Sequence, residues 1–113
     1  MAGKFVITKG KDDKYYFSLK AGNGEVILTS QGYNARADCL NGIESVKKNS
    51  QSEGRFDVKK SNDGKDYFVL TATNGQTVGK SQMYKSESGC SNGMKSVANS
   101  AADASVADES EHP

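Results

Sequence analysis

Apolar and polar residues alternate along three short segments and then change to a helical spacing, and this whole pattern occurs twice. Sliding the sequence on itself by about 51 residues aligns Gly3-Lys4-Phe5 with Gly54-Arg55-Phe56 and keeps the register, without gaps, to Ser45-Val46 and Ser96-Val97. Self-similarity at a fixed period is typical of a repeat architecture. The sequence therefore predicts two copies of one β-β-β-α unit, at 3–50 and 54–100.

Comparing the two copies identifies the buried face of each strand, because a position that is charged in one copy must tolerate water. Phe5 and Ile7 are matched by Phe56 and Val58, whereas Val6 is matched by Asp57. Alternation then places the Phe and the aliphatic residue toward the core and Val6 outward or at a margin. In the second strand the predicted core positions are Phe17, Leu19 and Ala21, with Phe68, Leu70 and Ala72.

Asn-Gly pairs follow the second strand in both copies, at Asn23-Gly24 and Asn74-Gly75. Such pairs readily adopt the positive φ angles of tight hairpin turns, so the chain should double back into a third strand. That strand contributes Ile27 and Val78 to the inner face. It is predicted to be weaker in the second copy, where Gly79 replaces Leu28.

After the third strand, apolar residues recur three or four positions apart, which predicts one stripe on each of two helices. The stripes are Cys39, Gly42, Ile43 and Val46, and Cys90, Gly93, Met94 and Val97. The helices are expected at about 35–48 and 86–99, with Asn34 and Ser86 as N-caps. Glycine inside a helix costs about 1 kcal/mol relative to Ala, so its presence in both stripes indicates close approach of helix and sheet.

Composition limits the chain to one domain and one broad class. With 113 residues and 35% hydrophobic residues, each half alone would be marginal, so the halves should share one core in an α+β domain at 1–100. Residues 101–107 are expected to add a short edge strand, and 108–113 to form a disordered acidic tail. Lys and Arg exceed Asp and Glu by 8 to 5 in 1–50 and by 7 to 5 in 51–100, against 0 to 4 in 101–113. The tail either folds over the basic body or, as we favour, is a solvated end.

Several classes of function lack their signatures. No stretch approaches the roughly 20 apolar residues of a membrane span, and the N-terminus does not resemble a signal peptide, so a cytoplasmic protein is expected. Two cysteines outside a Cys-x-x-Cys pair predict neither a disulfide scaffold nor a zinc site. The sole histidine, His112, lies in the predicted tail, and no nucleophile or phosphate-binding motif occurs. We therefore expect no enzyme activity, cofactor or metal.

The motifs now assembled resemble those of the YegP-like family of small bacterial proteins. The resemblance lies in the runs 14–25, 30–33 and 42–47 and their counterparts 64–75, 81–84 and 93–97, and it covers about Gly3 to Asn99. It implies β(3)-α-β units, paired in tandem with pseudo-two-fold symmetry, which share one antiparallel sheet packed by two helices and exchange their final strands. Residues 55–58 would then finish the first unit while opening the second, and 104–106 would finish the second. The resemblance implies no activity.

Two surfaces are candidates for ligand binding. Tyr16 and Tyr67, near Lys14 and Lys65, lie on the sheet face opposite the core, where aromatic and cationic side chains can stack single-stranded nucleic acid. The loops entering the helices repeat a Ser-Gln-x-Tyr motif, whose amides and hydroxyls suit a small anion; its residues are Ser30, Gln31, Tyr33, Ser81, Gln82 and Tyr84. For both surfaces we favour a structural role, in bracing the sheet and in capping the corner.

Cys39 and Cys90 occupy equivalent helix positions, which a pseudo-two-fold axis would relate. We interpret them as buried core thiols and not as a redox pair. The leading hypothesis is a monomeric, non-enzymatic binding or interaction module whose partner the sequence does not identify, a protein being one candidate. The alternatives are weak nucleic-acid binding through the basic body, which predicts strong salt dependence, and a small-molecule binding protein or small enzyme.

Overall fold

Three strands and a helix form each half of the chain, in the same order, and the computed structural model describes residues 3–109 of it. In the first half, β1, β2, β3 and α1 lie at Lys4–Lys9, Tyr15–Lys20, Val26–Thr29 and Arg36–Asn49. A 3-10 helix at Glu53–Arg55 leads into β4, β5, β6 and α2, at Phe56–Lys60, Asp66–Thr71, Thr77–Lys80 and Glu87–Ala101. A last strand, β7, lies at Ser105–Asp108.

All seven strands form one sheet in the order β4-β5-β6-β3-β2-β1-β7. The two halves meet where Thr29 of β3 pairs with Lys80 of β6, and these two residues are themselves equivalent in the repeat. The predicted α+β fold with tandem repeats in one sheet is therefore confirmed. The sheet is mixed, however, and not antiparallel throughout, because β7 runs parallel to β1.

The exchange of final strands holds for β7, which follows the helix of the second repeat but pairs with the first strand of the first repeat. It does not hold for 55–58 as predicted. These residues enter β4, which pairs only with β5 among the described strands and so opens the second repeat without completing the first. Within residues 3–109, β7 is the one strand that follows α2, and it occupies one of the two equivalent edges.

The hairpin turns form as the Asn-Gly pairs predict. Gly24 and Gly75 have φ angles of 87° and 86°, in the region that favours glycine. The side-chain oxygens of Asn23 and Asn74 each accept a hydrogen bond from the backbone N–H two residues on, at 3.0 Å. Just beyond each turn the register shifts, which leaves Ile27 and Val78 as extra residues at two bulges. Both side chains are buried, as predicted for the inner face.

The helices begin one residue after their predicted starts and differ in their caps. The Ser86 hydroxyl accepts a hydrogen bond from the Gly89 N–H at 3.0 Å, which confirms it as the N-cap of α2. The N-cap residue of α1 is Ala35, whose side chain has no oxygen that could accept a hydrogen bond from the helix N-terminus. The predicted cap by Asn34 is therefore wrong. Both helices begin at equivalent positions of the repeat, and Ala35 is the residue equivalent to Ser86.

Both helices pack on one face of the sheet and share a single apolar core with it. Phe17 and Tyr33 stack in the first half, with ring centroids 6.3 Å apart, and Phe68 and Tyr84 stack in the second at 6.2 Å. The helical glycines accommodate these tyrosines. A Cβ atom at Gly42 would lie 2.5 Å from the Tyr33 hydroxyl, and one at Gly93 would lie 2.3 Å from that of Tyr84. The close approach predicted for each glycine is therefore made by a tyrosine side chain and not by the sheet backbone.

The two repeats interlock where they meet. A Cβ atom at Gly79 would lie 2.6 Å from a methyl group of Leu28, which is the residue equivalent to Gly79 in the first repeat. Two leucines at these positions would occupy the same space. Leu28 can fill the junction between β3 and β6 because Gly79 has no side chain.

Three predictions about exposure need correction. Val6 is only 7% exposed, although it lies on the opposite face from Phe5 and Ile7. Val58 is predicted in the core but is 50% exposed, because no strand within residues 3–109 pairs with the outer edge of β4 as β7 pairs with β1. Asp108 was assigned to the disordered tail but is the last residue of β7, where it pairs with Arg36. Residues 110–113, with His112, lie outside the described residues.

Candidate functional site

The sheet face without helices carries a row of residues in register across all seven strands. Thr29 and Lys80 lie at its centre, Ser18 and Val69 flank them, and Val6, Asp57 and Ala107 complete it. Alternation places four lysines on the same face, since each lies an even number of residues from a member of this row. They are Lys4, Lys20, Lys59 and Lys80.

The two predicted tyrosines lie on this outer face and are already engaged. The Tyr16 hydroxyl donates a hydrogen bond to Asp12 at 2.6 Å, which raises the pKa of Tyr16 and lowers that of Asp12. The Lys80 ammonium lies 5.0 Å from the centre of the Tyr67 ring, within cation–π range. Lys14 and Lys65 are exposed near these rings. The face therefore presents cations and two partly covered rings.

The Ser-Gln-x-Tyr motifs brace the sheet at equivalent positions. Ser30 and Ser81 each accept a hydrogen bond from the backbone N–H of a core phenylalanine at 2.9 Å, and each donates to the carbonyl of the following glutamine at 2.8 Å. The side chains of Gln31 and Gln82 are exposed. Both serine hydroxyls therefore use their donor within the strand-to-helix corner, and this geometry supports the structural interpretation of the motif.

Tyr33 and Tyr84 complete these motifs and point under the helices. Burial raises the pKa of both phenols. Together with their close contacts to Gly42 and Gly93, this burial makes them part of the packing between helix and sheet. The structure therefore does not gather the six motif residues around a common ligand position.

Cys39 and Cys90 are free thiols buried in the core. Burial, reinforced by the Asp108 carboxylate, raises the pKa of Cys39 to about 11, and burial also raises that of Cys90. Because the thiolate is the nucleophile and the metal ligand, this rise in pKa disfavours reaction of either thiol while it is buried. No group of three or more histidine, cysteine or acidic side chains suited to a metal occurs within residues 3–109. None of the helices in that range is long and apolar enough to cross a membrane.

The largest difference between the repeats is a groove between β4 and α2, which we call the β4 groove. It has a volume of about 450 Å³ and is lined by Ser50, Gln51, Phe56, Val58, Ser91, Met94, Lys95 and Ala98. A second depression of about 430 Å³ continues it along β4 and reaches Lys59, Lys60, Asp66, Glu87 and Cys90. At the equivalent edge of the first repeat, β7 pairs with β1, and its Asp108 contacts Arg36 of α1.

The edge of β4 offers backbone groups for a further strand. In the first repeat, Glu109 donates its N–H to the Ile7 carbonyl at 2.8 Å, so the backbone of Ile7 faces β7. Phe17, which lies opposite Ile7, turns its own N–H and carbonyl toward Ser30 of the next strand. Phe68 and Ser81 repeat this arrangement in the second half, so Val58, opposite Phe68, turns its backbone N–H and carbonyl away from β5. An added strand would find these groups at the outer edge.

The β4 groove does not follow from the repeat pattern, because that pattern predicts equivalent environments for equivalent residues. The signal was present in the differences between copies. Leu40 is matched by Ser91, and Arg36 by Glu87, so the second helix lacks an apolar side chain that packs against the core and the basic side chain that pairs with Asp108 of β7 in the first half. Such differences, read together, indicate that one repeat is covered and the other is not.

Comparison with known proteins agrees with the repeat and with the fold. The model of the domain of unknown function DUF1508 matches the chain twice, at residues 11–57 and 61–108. The UPF0339 protein PA0329 of Pseudomonas aeruginosa is 52% identical over 110 residues, which is 97% of this chain and 100% of that protein. A UPF0339 protein of Shewanella oneidensis is 47% identical over 97 residues, which cover 86% of this chain and 88% of the relative.

Two solution NMR structures are similar over nearly the whole chain. The E. coli protein yegP has a TM-score of 0.94 and 41% sequence identity, with 100% of this chain and 97% of that chain covered. The Shewanella oneidensis UPF0339 protein SO3888 has a TM-score of 0.93 and 43% identity, with 99% and 96% covered. With its two DUF1508 repeats in one sheet, the chain belongs to the YegP-like, UPF0339 family of bacterial proteins.

Proposed function

We propose that this protein is a non-enzymatic binding module that takes up an extended polypeptide segment of a partner protein as an eighth strand beside β4. One observation carries the proposal: β1 and β4 are equivalent strands, and β1 already receives such a segment, namely β7. Strand addition of this kind uses main-chain hydrogen bonds for affinity and side-chain pockets for specificity. The β4 groove supplies both.

The apolar side chains along β4 support this function. Phe56 is half-buried and Val58 is half-exposed, whereas Phe5 and Ile7 are fully buried at the equivalent positions. A strand seated on β4 would bury this apolar surface, at roughly 25 cal/mol for each Å² removed from water. Lys59 and Lys60 follow at the end of β4, where edge lysines commonly discourage uncontrolled pairing between sheets.

We also infer a cytoplasmic location, which suits the two free thiols.

The test is an NMR titration of the ¹⁵N-labelled protein with a synthetic peptide of residues 102–109 that carries Asp108→Asn. This probe has the sequence of the strand that already occupies the equivalent position, with an uncharged side chain at residue 108. We expect its addition to shift the backbone amide signals of Phe56 and Val58. Shifts confined to Ile7 would instead indicate exchange with β7 at the opposite edge, and absence of shifts in β4 would refute the proposed function.

A matched pair of variants separates backbone pairing from side-chain contact. Val58→Pro removes the N–H that points away from β5, and an edge position of this kind tolerates proline. Val58→Thr keeps the N–H and the β-branched shape. We expect the Pro variant to remain folded and lose the peptide, and the Thr variant to retain it. Equal binding by both variants would contradict strand addition.

Weak binding of single-stranded nucleic acid by the outer face is a second candidate. It is favoured by the four lysines that share this face with Tyr16 and Tyr67, although the Tyr16 hydroxyl is engaged by Asp12. The measurement is fluorescence anisotropy of a labelled oligonucleotide at several salt concentrations. If this candidate is correct, the affinity for the oligonucleotide falls steeply as the salt concentration rises. It should also be lower in a double variant that carries Lys20→Gln and Lys80→Gln. Salt-independent or absent binding would dismiss it.

A further inference from the structure

We propose that the β4 groove selects a partner segment that runs parallel to β4 and has an apolar residue followed, two positions later, by a lysine or arginine that faces Glu87. This inference rests on the proposed function and specifies its ligand. It is drawn from a contact that the first repeat makes internally and from the residues by which the second repeat departs from it.

The pairing of β7 with β1 is the internal template. Val106 lies opposite Phe5, and Asp108 lies opposite Ile7. Because Phe5 and Ile7 face the helices, alternation places the side chains of Val106 and Asp108 on the same side of the sheet. There Asp108 forms an ion pair with Arg36 in the first turn of α1. The first repeat thus holds its strand through backbone pairing and this ion pair, with the partly exposed Val106 opposite the buried Phe5.

Transferring this register to the second repeat defines what a partner strand would meet. Phe56 and Val58 replace Phe5 and Ile7, so the apolar position is kept. The helix position that carries the Arg36 guanidinium carries the Glu87 carboxylate instead. The charge that a partner residue would face at this position is therefore reversed from positive to negative.

A second substitution strengthens this reversal. Asp66 stands where the first repeat has Tyr15, and it is only 7% exposed beside the same depression as Glu87. The two nearby lysines already have acidic partners, since Lys60 lies 3.5 Å from Asp66 and Lys59 lies 3.3 Å from Asp57. Glu87 forms no ion pair with any residue of the described range 3–109. It is the carboxylate that remains for a cation of the partner.

The same charges argue against the β7 strand of a second copy as the occupant. Its Asp108 would face Glu87, and like charges at close range oppose each other. A partner with a basic residue at this position makes a charge-assisted contact instead, which is stronger than a neutral hydrogen bond. The groove is thus matched to a foreign segment and mismatched to the chain's own C-terminal strand.

The experiment compares two peptides of residues 102–109, one with the native Asp108 and one with Asp108→Lys, on the full chain by NMR titration. We expect the Lys peptide to bind on the order of three- to tenfold more tightly, as suits a partly exposed ion pair. Glu87 is exposed in the first turn of α2, so its substitution leaves the core untouched. Glu87→Arg recreates the first repeat and should reverse the preference, while Glu87→Gln should abolish it.

The outcomes separate this inference from the proposed function. If both peptides shift the β4 amides with equal affinity, strand addition stands and the charge preference is refuted. If neither of these peptides shifts them, and the Asp108→Asn peptide does not either, the proposed function fails and this inference fails with it. Sedimentation of the free protein gives the remaining outcome. A dimer broken by Val58→Pro but not by Val58→Thr would mean that a second copy occupies this edge, and it would overturn the proposal.

Discussion

The first strands of the two repeats, β1 and β4, occupy equivalent positions in the sequence but have different neighbours in the sheet. β1 lies between β2 and β7, whereas β4 pairs with β5 alone among the described strands. Phe5 and Ile7 of β1, which pairs with β7, are fully buried, whereas Val58 of β4 is half exposed. The difference does not come from apolar character, which both strands share, but from the presence of one extra segment in the chain. It teaches that a duplicated unit with an exchanged last strand leaves one edge uncompleted when two copies are fused.

The two helices also differ, at the positions nearest the edge that β7 occupies in the first repeat. In α1, Arg36 pairs with Asp108 of β7 and Leu40 packs against the apolar core. At the equivalent positions α2 carries Glu87 and Ser91. The junction of the repeats is asymmetric as well, since Leu28 fills the space above Gly79. The repeats are therefore alike in backbone and unlike wherever one copy meets something that the other does not.

The largest expected effect compares the two first-strand phenylalanines. Phe5→Ala should lower the free energy of unfolding by about 4 kcal/mol, because it empties a fully enclosed site. Phe56→Ala should cost about 2 kcal/mol, since its side chain is already partly in water. Urea denaturation of both variants measures the difference. Equal losses would mean that β4 is covered in solution and would break the comparison.

The junction of the repeats provides the next effect. Leu28→Ala should cost about 3 kcal/mol through loss of a buried side chain. Gly79→Ala should also destabilise the native protein, because its Cβ would lie 2.6 Å from the Leu28 side chain. In the Leu28→Ala background the same Gly79→Ala change should become neutral or stabilising. A double-mutant cycle measures this coupling, and additive effects would contradict the contact.

The helical glycines are a point at which the halves should behave alike. Gly42→Ala and Gly93→Ala should each destabilise by about 2 kcal/mol, because overpacking against Tyr33 and Tyr84 outweighs the gain of about 1 kcal/mol in helix propensity. The exposed substitution Asn41→Ala is the control, which should be neutral or slightly stabilising. Thermal unfolding monitored by circular dichroism compares the three. Stabilisation by either glycine variant would refute the close contact.

The buried thiols test whether the uncovered edge opens more readily. In single-cysteine variants, iodoacetamide should modify Cys90 about tenfold faster than Cys39, because local opening beside β4 needs no release of β7. Mass spectrometry follows both rates, and equal rates would weaken the comparison.

The stability of the folded protein should depend on the protonation of the Cys39 thiol and should fall at alkaline pH. Burial holds the Cys39 thiol protonated up to a pKa of about 11, above its ordinary value of 9.0. Below pH 9 the protonated thiol stabilises the folded state in full, and this contribution is lost as the pH rises from 9.0 through about 11. Cys39→Ala should remove that part of the alkaline loss of stability. An unchanged alkaline limb in this variant would refute the assignment.

Much of the fold follows from local pattern. The duplication, the buried faces of β1 and β2, the Asn-Gly turns and the helix stripes depend on spacings of two, three or four residues, which act within a single element. The cap at Asn34 failed for a related reason. Its oxygen lies one residue outside the register that the second repeat uses with Ser86, and register is set by packing of the whole helix.

The candidate site was less accessible to the same reasoning. The predicted ligand residues were chosen because they recur, but recurrence favours residues that build the repeat, as Ser30 and Tyr33 do. The proposed binding residues are those that do not recur, such as Glu87 and Asp66. Their meaning depends on which edge receives β7, and that choice cannot be made from either repeat alone.

What the sequence by itself determined, then, is the repeating unit: its strands, turns, helix and inward face, all encoded by spacing along the chain. Only the tertiary structure decided that β7 runs parallel to β1, that Leu28 crosses above Gly79, and that β4 remains an edge. The physical reason is that these are competitions between distant segments for one space or one row of backbone hydrogen bonds. Such competitions are resolved by packing the whole chain at once.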